Sequence, residues 1–204
     1  MSETVQMGNL DKTSLISELF KKAITESSDS ISKLMDKPIT INATESVSGP
    51  LLEIVNYFEP SEDIYTAVAM RIQNNAEGAL VFFARQDDAV RIAQEVIEVK
   101  TLKSETTISE MTNSVLKEMA NILFGAFLTR ISEVSEIQLL TSIPDLTSDM
   151  VKASLDELCG DIALKSENAL AVITSFSIAP MNASGKMVLI VDESTVNKIL
   201  DKVK

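Results

Sequence analysis

Two stretches of this chain are variants of one another. GALVFFARQDDAVRIAQEVI (78–97) and GKMVLIVDESTVNKILDKV (185–203) each open on a glycine, run through a short apolar block, meet acidic residues and continue with helical apolar spacing. A repeat of about 100 residues is too long for a solenoid and suits two fused half-domains. Paired about a pseudo-twofold, the halves would share one sheet covered by helices. We expect an internally duplicated α/β (α+β) fold, a single domain over 1–204 made of repeats at about 10–98 and about 105–204.

The rest of the chain fills in this plan. LDKTSLISELFKKAITESSDSISKLMD (10–36) has helical spacing, and Pro38 follows as a stop, although the serines at 27, 28, 30 and 32 weaken its second half. PITINATESVSGP alternates like a strand and ends in the turn signal Ser48-Gly49-Pro50. LLEIVNYF, IYTAVAMRIQ and GALVFFA read as three further strands on their β-branched and aromatic content. DDAVRIAQEVIE is then a helix opened by acidic capping residues. After VKTLKSE the pattern restarts: a long helix from about Thr107 to Glu133, the strand EIQLLTSI leading to Pro144, and the helix DMVKASLDELC where the first half has a strand. The strands ALAVITSFSI and GKMVLIV and the helix DESTVNKILDKV close the chain. VKTLKSE is too short and charged to read as an interdomain linker.

Composition removes several kinds of chemistry. There is no histidine, which excludes Ser-His-Asp and Cys-His catalysis and the usual zinc sites. The six glycines form neither GxGxxG nor a Walker loop. Cys159 is alone, so no internal disulfide or CxxC pair exists, and its setting in SLDELCGDIAL places it in the core. Thirty acidic against eighteen basic residues give a net charge of −12, which repels a phosphate backbone, so nucleic acid is not an expected partner. No apolar run is long enough to span a membrane, and a cytoplasmic protein is expected. Aromatic residues are only 4%, so the core should be aliphatic, with nine Met as adaptable filler.

One helix face stands out. In SVLKEMANILFGAF (114–127), taking Ser114 as zero, Glu118 falls at about 40°, Asn121 at about −20° and Gly125 at about 20°. Val115, Met119, Ile122 and Ala126 form a second stripe and Leu116, Leu123 and Phe127 a third, so apolar coverage is broad and the polar seam thin. An exposed helix face carries such residues without any function. Gly125 is harder to explain that way, because glycine inside a helix costs about 1 kcal/mol relative to alanine. A missing side chain beside a polar pair suggests a place where another molecule comes close.

Ser114, three residues, Glu118, two residues, Asn121, twenty-two residues and Pro144 resembles the signature of the CheC/CheX/FliY phosphatases, which dephosphorylate the chemotaxis response regulator CheY. Length and duplication are most similar to CheC, as is DMVKASLDELCGDIALKSENALAVITSFSI. The resemblance implies a largely antiparallel sheet with the site motifs on long helices. It also implies that Asn121 positions the attacking water and Glu118 contacts the regulator, with Ser114, Gly125 and Pro144 in support. No metal or cofactor of the chain's own is implied, only Mg²⁺ on the regulator. CheY-type regulators and the receptor deamidase CheD are the implied partners.

The duplication locates a second copy of the motif. One hundred positions earlier stand Ser14, Glu18, Lys21 and Thr44, with Thr25 in place of Gly125. A carboxamide both donates and accepts and is neutral, whereas an ammonium only donates. Lys21 is therefore a poor substitute for Asn121, and one competent and one degenerate site are expected. The alternative is an adaptor of the chemotaxis or flagellar switch system that keeps this face for binding alone.

Overall fold

A computed structural model describes residues 3–58, 63–74, 76–97 and 105–202. The elements in order are α1 (Glu3–Met35), β1 (Thr40–Pro50), α2 (Leu51–Tyr57), β2 (Tyr65–Asn74), β3 (Gly78–Arg85) and α3 (Gln86–Ile97). They are followed by α4 (Glu105–Ser135), β4 (Leu139–Thr141), β5 (Asp145–Asp149), α5 (Val151–Ala163), β6 (Asn168–Ile178), β7 (Ala183–Asp192) and α6 (Glu193–Lys202), with a short 3₁₀ turn at Ala179–Met181. The strands form one sheet in the order β1-β6-β7-β3-β2-β4, with β5 also on β2. Every pairing among the described residues is antiparallel.

The sheet is buried on both sides, which explains the unbroken apolar run of β3. Phe82, Leu80, Val172 and Leu189 belong to the core under α1, α3, α4 and α6. Val81, Phe83, Val188 and Ile190 belong to a second core under α2 and α5. On the first face, α1 and α4 pack against each other, with Phe20 and Phe127 fully buried and their rings 5.9 Å apart. Arg130 ties the two helices at the surface by binding Glu26, and that hydrogen bond holds the Glu26 carboxyl below its usual range.

Two expectations are corrected. LLEIVNYF is not a strand: residues 51–57 are α2, which buries Leu51, Ile54, Val55 and then Phe58 at helical spacing. β-branched and aromatic content suggested a strand, but the spacing i, i+3, i+4, i+7 decides the matter. α2 therefore stands before β2 as α5 stands before β6. EIQLLTSI is strand only over Leu139–Thr141, and Asp145–Asp149, whose last residue was expected to open the next helix, form the further strand β5. The serines late in the first helix do not end it, because the Ser27 and Ser28 hydroxyls donate to the carbonyls of Ala23 and Thr25 and leave the backbone ladder intact.

The N-terminal and C-terminal parts of the chain share some local details. Both long helices end at a left-handed residue, Asp36 and Glu136. Past each end a backbone N–H returns to a helix serine, Ile39 to Ser32 at 3.1 Å and Leu139 to Ser132 at 3.4 Å. Gly78 faces Ile72 and Gly185 faces Phe176 in their hairpins. A Cβ on Gly78 would lie 2.4 Å from the Ile190 carbonyl oxygen, and one on Gly185 would lie 2.6 Å from the Phe176 ring. Close strand packing is what those two glycines permit.

Candidate functional site

The α4 seam lies on the outer surface of the α1–α4 layer. Ser114, Glu118, Asn121 and Gly125 are all exposed, with the partly buried Val115, Ile122 and Ala126 along one flank. Beneath them Leu116, Met119, Ala120, Leu123, Phe124 and Phe127 anchor the helix in the core. Apolar residues thus occupy more than half of the helix circumference, and the seam is the strip left over.

Among the described residues, the side chains of Glu118 and Asn121 have no hydrogen bond or ion pair, nor does that of Ser114. Asn121 can donate and accept toward an incoming molecule, and Glu118 has a carboxylate open to a cation. A Cβ built on Gly125 would meet nothing within 4 Å. Packing within the chain does not require glycine here, unlike at Gly78 and Gly185. The Gly125 carbonyl accepts the Thr129 hydroxyl at 2.8 Å, which occupies an oxygen at the weakest point of the helix.

Pro144 is not on this helix surface. It lies between β4 and β5, at the sheet edge formed on β2. Proline has no N–H for a strand ladder, and pairing to β2 breaks between Thr141 and Asp145. Ser142 bridges the gap: its N–H donates to the Arg71 carbonyl at 2.9 Å and its hydroxyl oxygen accepts the Arg71 N–H at 3.0 Å. Ile143 is left 87% exposed.

The α1 face is laid out in the same way with different groups. Ser14, Glu18, Lys21 and Thr25 are exposed, and Thr25 donates its hydroxyl to the Lys21 carbonyl at 2.9 Å. Thr44 lies on β1, at the opposite sheet edge from Pro144, with its hydroxyl 3.2 Å from that of Thr174. β1 runs past this point with only a bulge at Asn42, so the strand that Pro144 interrupts is nearly continuous here. Cys159 is buried on α5, and burial, followed by the nearby Asp156 charge, raises its thiol to about 11. It is a core residue, as expected.

Sequence reasoning did not single out the surface beside the seam. An open groove of about 670 Å³ runs from Gly125 along the last turns of α4 to β4. Its lining comes from the end of a helix and the start of a strand, and only the fold shows that they meet around a groove. Among the described residues no group of three or more acidic or cysteine side chains could hold a metal ion, and no helix is long and apolar enough to cross a membrane.

No family model matches the sequence. The CheY-P phosphatase CheC of Bacillus subtilis (strain 168) is 24% identical over 150 residues, covering 73% of this chain and 72% of that protein. FliY of Thermotoga maritima has a TM-score of 0.71 at 16% identity, covering 95% of this chain and 96% of that one. CheX in the CheX-CheY-BeF3-Mg complex from Borrelia burgdorferi has a TM-score of 0.57 at 14% identity, covering 85% of this chain and 98% of that one. The FliM-SpeE complex from H. pylori gives a TM-score of 0.60 at 12% identity, covering 94% of this chain and 96% of that one. In sequence this chain is similar to CheC, and in fold it is similar to FliY, CheX and FliM.

Proposed function

We propose that this chain is an aspartyl-phosphate phosphatase acting in the cytoplasm on a CheY-type response regulator, built from two related halves and active on its α4 face. Hydrolysis of a phosphoaspartate needs in-line attack of water on phosphorus. The P–O bond to the carboxylate breaks, leaving free aspartate on the regulator and inorganic phosphate. Charge on the transferring group is neutralised by the regulator's own Mg²⁺ and lysine, so a partner need only place the water. Asn121 places it, since its amide both donates and accepts without repelling the nucleophile. Glu118, three residues earlier on the same face, engages a cation of the regulator, and Ser114 supports the docked helix.

The observation carrying this reading is that Glu118 and Asn121 stand exposed and unengaged on a rigid helix beside a glycine that internal packing does not require. The CheC match and the CheX-CheY complex agree with it. The test is phosphate release from a CheY-type regulator of the same genome, charged with acetyl phosphate. Asn121→Ala should lower turnover by about 100-fold or more. Glu118→Ala should weaken regulator binding, and Lys21→Ala should leave turnover unchanged. Loss of turnover in Lys21→Ala with retention in Asn121→Ala would place the chemistry on α1 instead.

The FliM-like fold favours a second reading, an adaptor that binds through the same face without hydrolysis. The two differ in stoichiometry. A phosphatase accelerates decay at substoichiometric amounts, whereas an adaptor saturates at one to one and leaves the phosphoryl group in place.

A further inference from the structure

We propose that the groove between the end of α4 and β4 continues the docking face, and that it takes an apolar side chain followed by a basic one from the same regulator domain that presents its phosphoaspartate to Asn121. The inference rests on the phosphatase reading and extends it from the reacting atoms to partner selection.

Gly125 belongs to the seam and also lines the groove. With no side chain there, the strip carrying Glu118 and Asn121 opens into the groove without a step. A molecule lying along the seam therefore continues into it. The apolar part of the lining comes from Leu128, which is buried, and from Ile137 and Leu139, which pack against the core. This provides a fixed wall for one apolar side chain.

The far rim is acidic. Glu133 is engaged by Arg130, but Glu136 is exposed and has no ion pair among the described residues. Its left-handed backbone (φ 54°) turns the chain from α4 toward β4 and places a carboxylate at the groove's end. An unneutralised carboxylate beyond an apolar wall selects a lysine or arginine on the occupant. A second copy of this chain is disfavoured, because its net charge of −12 would meet an acidic rim.

The experiment measures kcat and KM for phosphate release from the acetyl-phosphate-charged regulator at low salt. Glu136→Lys should raise KM about ten-fold with kcat unchanged, Glu136→Gln should raise it less, and both effects should shrink at high salt. Asp36→Lys, at the corresponding corner of α1, is the control for charge alone and should leave KM as it is. The inference fails if Glu136→Lys has the KM of the wild type, or if Asp36→Lys raises KM equally. If the wild type does not accelerate decay at all, the phosphatase reading fails. The groove is then judged by the Kd for the beryllofluoride-activated regulator, which Glu136→Lys must weaken about ten-fold for the inference to stand.

Discussion

The Thr195 hydroxyl oxygen accepts the backbone N–H of Glu77 at 2.9 Å, tying the first turn of α6 to the chain entering β3. Asp88, in the first turn of α3, does the same for Ser184 at the start of β7, taking its N–H at 3.3 Å and its hydroxyl at 3.1 Å. Each half thus fixes the start of the other half's central strand. Thr195→Val keeps the side-chain shape but leaves the Glu77 N–H unpaired, which should cost about 1–3 kcal/mol. Urea denaturation should show a lower midpoint with an unchanged slope.

Asp88 also makes stability depend on pH. Burial pushes its carboxyl up, but hydrogen bonds from Arg91 and Ser184 outweigh burial and hold it below the ordinary 3.8. A carboxylate with a depressed folded-state value stabilises the fold above its unfolded value, and that contribution is lost as pH falls through the lower, folded value. Asp88→Asn should therefore be less stable at neutral pH and should flatten the acid limb of the profile. Melting temperatures measured from neutral pH down to acid check both.

Gly125→Ala should raise stability and lower activity together. The added methyl meets nothing in the chain, and alanine gains about 1 kcal/mol in a helix interior. The same methyl stands where a docked partner would lie. Gly78→Ala and Gly185→Ala should instead destabilise, because their Cβ atoms would run into neighbouring strands. Thermal melts alongside phosphate release separate the two kinds of glycine.

Cys159 should resist alkylation in the native protein. Its thiol is buried and raised to about 11, so almost no thiolate is present at pH 8. Iodoacetamide labelling should follow global unfolding across a denaturant series. Rapid labelling in buffer would mean that α5 opens locally.

Phe20→Ala should be among the most damaging single changes, costing about 3–5 kcal/mol, since it empties the α1–α4 contact against Phe127. Leu15→Ala, five residues away on α1 and half exposed, should cost far less. Denaturation midpoints of the two variants give the comparison.

What could be read in the sequence follows where burial is periodic. β3 and β7 are apolar because both faces are covered, and α3 and α6 show their acidic starts and apolar stripes plainly. The placement of Glu118 and Asn121 on one exposed face followed from helical spacing alone. α2 was obscured because its buried Leu51, Ile54 and Val55 come from residue types that strands also favour. β5 gave no signal, because DLTSD is an edge strand held by backbone pairing to β2, with Leu146 its one apolar side chain against the core. The groove beside Gly125 was invisible for a different reason: it exists only where the helix end and β4 are brought side by side.

The strand order has a consequence for the half that carries Lys21. β1 pairs with β6, and β4 and β5 pair with β2, so each half's outer strand rests on the other half. The halves are interlocked rather than apposed. Neither could be discarded or expressed alone without stripping a strand of its only described neighbour and opening β3 or β7 to solvent. The N-terminal half is therefore indispensable to the face on α4 whatever chemistry its own helix has kept. What that half contributes to the sheet is set by its strands and does not depend on which residues stand on the surface of α1.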